Sequence, residues 1–432
     1  MKKIYQYILL VVAMVATASC SNELDDTLQP VNNGNLQFVV SDFPMFGEGI
    51  QTRAIGTQDE GKTAWEKDDQ IIVTLTSQKY GEQAAALTYD GSSWSTEASL
   101  SYLENETPSV SVFYAPCYEV TEEGTMQLRS GMQLGMTEYL SGNYEIENGI
   151  MTITFEGAIR TYSRLRIVGL PNHTLTVTTT DFTPAGATEV ATAAYTLTTD
   201  DNGNAFLYGV FAEGATVSVR QGDITLKDYT FTAEKNPNGT EHNKSYALDA
   251  TPVIDGTLGG KTEATEDDIT ALVEQLKEYV DNGITTIIVP GSEPAMIDVG
   301  SLTITAIGEA IYRLSKEESY NGKIDLVLPD VTEIVDQEFY GARALNSINL
   351  PKVTTVGDGA FYDCQYLEEL TFGSVVTAIN HKLRAEFYMV GEKVEGCDLV
   401  LNREQVNADA DYQPNIETRT WWDTEWKSIT LK

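Results

Sequence analysis

The side chains able to do covalent chemistry in this sequence are few and scattered. Its three histidines, His173, His242 and His381, lie in three separate segments, with no serine or cysteine nucleophile motif and no phosphate-cradling glycine loop beside them. Asp and Glu total 64, so almost any spacing between two carboxylates occurs somewhere, and no acid–base pair of the glycosidase kind stands out. The run Asp200-Asp201-Asn202-Gly203-Asn204 has calcium-loop residue types, but no Glu follows at the loop's last ligand position; a hairpin turn is the better reading. The cysteines, Cys20, Cys117, Cys364 and Cys397, have no metal-ligand spacing, and no disulfide framework is expected of them. Catalysis, a metal and a cofactor are therefore not expected.

The remaining chemistry is recognition. With 28 Lys and Arg against 64 Asp and Glu, the net charge of −36 repels nucleic acid and anionic lipid. Charged residues make up only 21% and apolar residues 42%, a folded rather than disordered composition. At 432 residues, and about 150 residues per domain, three domains are expected.

The N-terminus reads as a targeting segment: Lys2 and Lys3, an apolar run over 8–18 too short to span a bilayer, then Thr17-Ala18-Ser19-Cys20. This resembles a bacterial lipoprotein signal over 1–19, which implies that Cys20 is lipidated, with palmitate among its acyl chains, and becomes the mature N-terminus. Thr17 departs from the usual Leu, a substitution the relaxed lipobox of Bacteroidetes tolerates. The acidic Ser21-Asn22-Glu23-Leu24-Asp25-Asp26 resembles that phylum's surface-export signal, and Asp26-Thr27-Leu28 its O-glycosylation acceptor. Residues 20–33 are polar and turn-rich, a tether. The resemblance implies an outer-membrane, cell-surface protein that meets the membrane only through its lipid.

From residue 34 the sequence turns to short strands rich in Val, Ile, Thr, Phe and Tyr and bounded by Gly, Asn, Asp and Ser: 36–43, 70–77, 86–90, 109–115 and 151–155. A second set covers 165–168, 174–178, 195–198, 205–211, 216–220, 228–233 and 244–249. Thr52-Arg53-Ala54, Trp65-Glu66-Lys67-Asp68-Asp69-Gln70-Ile71, Thr88-Tyr89-Asp90-Gly91-Ser92-Ser93-Trp94, Val112-Phe113-Tyr114-Ala115-Pro116 and the closing Asn243-Lys244-Ser245-Tyr246-Ala247-Leu248 together resemble the fimbrillin (type V pilin) superfamily of Bacteroidetes. Trp65 and Trp94 are expected as apolar plugs between sheets, and Asp90-Gly91 as a tight turn. Asp69 stands where Gly is expected after Asp68. The resemblance implies two antiparallel β-sandwich domains, 34–164 and 165–250. It also implies a proteolytic maturation site after Arg53, which would release 36–43 as a strand and open a groove for a neighbouring subunit.

Residues 251–263 read as a Gly-rich linker. A helix is predicted over 266–280: Thr265 is its N-cap with Asp268 three residues on, Ile269, Leu272, Val273, Leu276 and Val280 form one face, and Gly283 stops it. Residues 331–352 and 353–374 then repeat each other, pairing Val331 with Val353, Ile334 with Val356, Phe339 with Phe361, Leu345 with Leu367, Ile348 with Leu370 and Leu350 with Phe372, each 22 residues apart. Such a period makes a solenoid, and the helix ahead of it reads as its cap. The wording of 353–370 resembles the BspA-type leucine-rich repeat. A looser copy spans 307–328 with about five extra residues near 314–322, and 399–401 and 429–431 read as last strands. Cys364 falls in the repeat as an interior residue, and Trp421, Trp422 and Trp426 are expected to cover the last coil.

The fold class expected is therefore mostly β: two fimbrillin-like sandwiches, then a short leucine-rich-repeat solenoid over 264–432 with an N-terminal capping helix. The expected function is that of a lipid-anchored surface adhesin, or a tip or accessory component of a fimbria, binding a host or bacterial surface protein or glycan. Contact with other fimbrial subunits would be by strand exchange. Candidate partner-binding residues are the solvent-facing strand positions Asp325, Val327, Ser347, Asn349, Glu369 and Thr371, with Trp422 at the end of the chain. The alternative is a surface glycan- or nutrient-binding lipoprotein of an outer-membrane uptake system, for which the tryptophan group would be the aromatic platform.

Overall fold

The computed structural model describes residues 37–44, 61–103, 106–155, 160–236, 238–380 and 387–432. Cys20 and Arg53 lie outside the described residues. The described residues fall into two compact units, one drawn from 37–44, 64–129 and 140–155, the other from 61–63, 130–139 and 160–432. It is mostly β, as the sequence leads one to expect.

In the first unit, β1 (Gln37–Val40), β2 (Gln70–Ser77), β3 (Gly81–Tyr89), β4 (Trp94–Ser95), β5 (Ser109–Tyr114), β8 (Leu140–Glu147) and β9 (Ile150–Thr154) form one sheet in the order β1-β9-β8-β5-β2-β3-β4, with β6 (Tyr118–Val120) and β7 (Met126–Leu128) as a separate hairpin. Ile71, Val73, Leu75, Leu87, Leu140, Met151 and Ile153 are fully buried. The sheet is not wholly antiparallel, because β1 runs parallel to β9. Strands 110 residues apart in sequence are not bound by hairpin geometry, so the edge can take either direction. β8 has no counterpart among the predicted strands, since Ser141, Gly142, Asn143 and Glu145 break the β-branched composition on which such a prediction rests. Trp65 and Trp94 are half-buried rather than sealed between layers. Trp65 is the hub of an edge-to-face cluster with Phe43, Trp94, Tyr114 and Phe155 at 4.8–5.6 Å, and its Nε1 donates to the Ser41 carbonyl at 2.7 Å. The positive φ of the Trp65 turn falls on Asp68, at 72°, and Gly91 takes 103° in the β3–β4 turn.

The second unit begins with β10 (Ser163–Val168), β11 (Thr174–Pro184), β12 (Ala191–Thr198), β13 (Asn204–Phe211), β14 (Thr216–Gln221), β15 (Ile224–Thr230) and β16 (Ser245–Asp249). β11 bends at a register shift between Thr179 and Phe182. Its first half lies between β12 and β14, and its last three residues pair with β13. β10 has β13 antiparallel on one side and β16 parallel on the other. Stacked Phe182, Phe211 and Phe231 fill the interior at 4.3 and 4.8 Å. Asp200 accepts from the amides of Asn202 and Asn204, so that carboxylate closes the hairpin turn. Beside this sheet, Glu138 and Arg160 form a buried pair at 2.8 Å, and Tyr162 donates to the same carboxylate oxygen at 3.1 Å. Burial pushes the Glu138 carboxyl up; Arg160 pulls it back.

Residues 251–263, expected to be a linker, are instead laid into the solenoid. Ile254 is fully buried, its amide donates to Ile288, and Ala264 donates to Met296. Asp255 holds the intervening turn by accepting from Thr257 and Gly259. Helix α1 (Glu266–Asp281) starts at the expected capping box of Thr265 and Asp268 and ends at Asn282, just before Gly283. Ile269, Leu272, Leu276 and Tyr279 are its buried face, and they belong to the solenoid's core.

The solenoid sheet is β17 (Thr286–Ile288), β20 (Ile324–Val327), β22 (Leu345–Leu350), β24 (Glu369–Phe372), β26 (Asp398–Leu401) and β29 (Ser428–Leu431), all parallel and in chain order. The predicted last strands are its fifth and sixth. β21 (Glu333–Ile334), β23 (Thr355–Val356) and β25 (Ala378–Ile379) make a second, narrow sheet, and β18 (Met296–Val299) with β19 (Leu302–Thr305) a hairpin. A second helix, α2 (Ala306–Leu314), replaces the turn in the loose copy at 307–328; the predicted elements include no helix there. Its nine residues, with Ala and Ile recurring four apart, fit the repeat wording as well as a helix, and so short a run is not told apart by period alone. β27 (Thr420–Trp421) and β28 (Thr424–Glu425) close the end. Cys364 is fully buried with its thiol against the Phe339 carbonyl, and burial pushes it well above the usual thiol range.

Among the polar groups buried in this region, which include Asp358 and Gln405, Glu338 is tied to a helix cap. Glu338, where the next coil has Ala360, accepts from both the amide and the hydroxyl of Thr305, and that hydroxyl caps α2 by accepting from Gly308. A Cβ on Gly308 would lie 2.5 Å from the Glu338 carboxylate, so only glycine admits it. Burial outweighs these bonds and lifts the carboxyl to about 7 from its ordinary 4.5.

Two measurements check these buried groups. Because the folded-state value of Glu338 is raised, its contribution is fully present below pH 4.5 and is lost as pH rises through 7, by up to about 1.4 kcal/mol per pH unit. Urea midpoints across this range are expected to fall less with pH in Glu338→Gln than in the wild type. For the ion pair, Arg160→Ala is expected to cost about 3–5 kcal/mol, since it strands a buried carboxylate; the double variant Arg160→Met, Glu138→Leu is expected to lose much less.

Candidate partner-binding surface

In-register stacking turns every second residue of the solenoid strands into a straight column. The inward column is Ile287, Leu326, Ile348, Leu370, Leu399 and Ile429, of which the first five are fully buried. The flanking residues face the other way and form two outward columns about 4.8 Å per step. One is Thr286, Asp325, Ser347, Glu369, Asp398 and Ser428; the other is Ile288, Val327, Asn349, Thr371, Val400 and Thr430. All six strand positions nominated from the sequence, Asp325, Val327, Ser347, Asn349, Glu369 and Thr371, are therefore neighbours on one face.

The face is held by bonds between adjacent columns and coils. Asp325 accepts from Ser347 at 2.7 Å and from Asn346 at 2.8 Å; Thr371 donates to Glu369 at 3.0 Å. Asp398 accepts from Ser428 at 2.7 Å, with Lys427 at 3.4 Å. Short side chains fixed in this way lose little freedom when a partner covers them. At the strand ends Asp330 pairs with Lys352 at 2.8 Å and accepts from Gly291, which lowers its carboxyl.

The tryptophans part company. Trp421 and Trp426 are 1% and 2% exposed and seal the end of the core against Phe372 and Phe387. Trp422 is half-buried, lies parallel to Tyr412 at 5.2 Å, and takes a positive φ of 53° followed by Asp423 at 55°. Those two residues form the tight β27–β28 turn, where a bulky residue is unusual. The aromatic platform expected from three tryptophans is thus reduced to Trp422 with Tyr412.

A second surface has no counterpart among the nominated residues. On the turn side each coil pairs an inward apolar residue with an outward tyrosine: Ile311-Tyr312, Phe339-Tyr340, Phe361-Tyr362 and Phe387-Tyr388. Tyr340 stacks on Tyr362 at 5.2 Å and Tyr362 on Tyr388 at 5.1 Å, while the inner Phe339, Phe361 and Phe387 stack at 5.8 and 5.7 Å. Tyr312 lies against Gly341 in the following turn. The recurring apolar-Tyr pair carries the signal in the sequence, but a period that scores buried positions passes over the outward ring.

The histidines and thiols stand apart from both surfaces. The His173 ring bonds the Pro171 carbonyl at 2.7 Å, His242 is exposed, and His381 lies outside the described residues. Cys117, Cys364 and Cys397 are all buried.

No curated protein matches the chain. Among solved structures it is similar to a fimbrial protein from Bacteroides ovatus ATCC 8483, at 12% identity and a TM-score of 0.25, over 50% of this chain and 48% of that one. It thus spans about half the length of that protein. It is also similar to the shaft pilin spaA from Lactobacillus rhamnosus GG, at 13% identity and a TM-score of 0.17, over 42% of this chain and 93% of that one. Overlaps this loose carry no argument. The family model for the BspA type Leucine rich repeat region matches residues 322–387 in six copies, which is where β20 to β25 stack, and the chain accordingly carries a leucine-rich-repeat region of that type.

Proposed function

We propose that the protein is a cell-surface adhesin or pilus component, anchored through a lipid on Cys20, that binds a surface protein or glycan through its leucine-rich-repeat region. The observation that carries this reading is the six-strand face with its two in-register columns: a flat, internally braced surface, polar in one column and mixed in the other, where Ile288, Val327 and the buried Val400 stand with Asn349, Thr371 and Thr430. The lipobox-like Thr17-Ala18-Ser19-Cys20 and the fimbrillin-like words of residues 34–250 support a surface location.

Assembly into a fimbria by strand exchange is supported on one side only. β1 is a four-residue edge strand with Gln37 and Val39 exposed, the kind of strand that a maturation cut after Arg53 could free. Residues 428–431, in contrast, are the sixth solenoid strand, held next to Trp426, and donating them would uncover the core. A tip or accessory position fits this better than a polymerising shaft position. The glycan-binding alternative retains one supporting feature, the parallel Tyr412–Trp422 pair.

Three experiments test the proposal. The triple variant Asn349→Ala, Glu369→Ala, Thr371→Ala is expected to bind host cells or matrix at least tenfold more weakly with an unchanged melting curve; unchanged binding removes the sheet face from the proposal. On a glycan array the same variant and Trp422→Ala separate the two readings, since loss only in Trp422→Ala favours glycan uptake. N-terminal analysis of surface-extracted protein is expected to give a start at Ala54 in filament fractions. A lipidated Cys20 throughout indicates a free-standing adhesin.

A further inference from the structure

The two aromatic columns of the solenoid end differently. The inner one, Phe339, Phe361 and Phe387, is closed by Trp421 and Trp426 at 5.7 and 5.2 Å from Phe387. The outer one, Tyr340, Tyr362 and Tyr388, ends on a tyrosine that is 52% exposed. At the other end of the row the chain itself shows what such a ring accepts: the Lys316 ammonium sits 3.7 Å from the centre of the Tyr312 ring. An aromatic face attracts a cation through its quadrupole, and the field of a chain at −36 concentrates cations near its surface. Glu392 and Glu395, both exposed, stand in the same turn as Tyr388, together with Lys393. Among the described residues, Arg343 stands beside the row and is paired with Asp363 at 2.9 Å. Tyrosine is also the residue type that interfaces favour, being large, rigid and polar at one end, whereas none of the twelve residues in the outward sheet columns is Tyr, Trp or Arg.

We propose that the tyrosine row Tyr312, Tyr340, Tyr362 and Tyr388 is a second docking surface, for a basic segment of a partner protein whose Lys or Arg side chain seats on the open face of Tyr388. It lies on the turn side of the coils and stands whether or not the sheet face binds. The test uses the full chain at physiological salt with a hexa-arginine peptide and its uncharged hexa-citrulline analogue as probes. Tyr388→Leu keeps the apolar bulk and removes the π face, Tyr388→Trp keeps the π face, and Glu369→Gln removes one charge from the sheet face without touching the row. Hexa-arginine is expected to bind Tyr388→Leu about two- to fivefold more weakly than wild type, Tyr388→Trp at least as tightly as wild type, and Glu369→Gln with a smaller loss than Tyr388→Leu. Equal binding by wild type and Tyr388→Leu, or hexa-citrulline binding as tightly as hexa-arginine, overturns the proposal. Urea midpoints within error of wild type confirm that the variants are folded. Should Tyr388→Leu be unfolded, the Tyr388→Trp and citrulline comparisons decide alone.

Discussion

Everything in the C-terminal half depends on one constraint, the in-register hydrogen bonding of each coil to the next. The amides of Gln337, Phe339 and Gly341 donate to Asp358, Ala360 and Tyr362 on the turn side, while the parallel ladder does the same on the sheet side. With both sides pinned, residue type at one position of a coil dictates what its neighbour above and below must be. An inward Phe has to meet an inward Phe, and an outward Tyr an outward Tyr. The inner column alone removes several large apolar side chains from water, each contributing about 1.5–3 kcal/mol.

The same constraint decides where irregularity can go. Steps along the inward column are 22 residues from Leu326 to Ile348 and from Ile348 to Leu370, but 39 from Ile287 to Leu326, 29 to Leu399 and 30 to Ile429. The strand pairing survives all three longer steps, so the additional residues are accommodated in the connections. Positive φ recurs at the same place in successive turns, Gly341, Asp363 and Met389, which shows the turn geometry being kept even where glycine is not.

How far the sequence reveals this follows from the physics of each signal. A repeat of buried residues at fixed spacing is legible because every coil needs the same side chains inward, and α1 is legible because Thr265 and Asp268 make a capping box that few other conformations use. Of the candidate surface, the alternation within β20, β22 and β24 fixes the outward positions directly. What escapes is decided by partners far along the chain. The parallel pairings β1–β9 and β10–β16 have no local signature, β8 is polar on its open side, and α2, at nine residues, is too short to be separated from the repeat wording. Residues 251–263 look like a linker because Gly256, Gly259 and Gly260 punctuate a largely polar run, yet Pro252, Ile254 and Gly256 are buried and Ile254 belongs to the solenoid's core. The role of Trp422 differs from that of Trp421 and Trp426 only through a backbone turn, which residue type does not report.

The junction between the second sheet and the solenoid is continuous rather than hinged, and this bears on how a partner would be met. Leu170 and Ile224 belong to the solenoid's apolar cluster, with Leu226 packed against it. Asn282, the C-cap residue of α1, accepts the Asp223 amide at 2.8 Å, and its side chain fills the space that a Cβ on Gly222 would need. A shared core with a capping bond across it resists the independent motion expected of domains joined by a bare linker. Both outward surfaces of the repeat region are thereby held at fixed orientation to the sheet of β10 to β16. A force applied at either one would pass to that sheet directly, with no slack segment between.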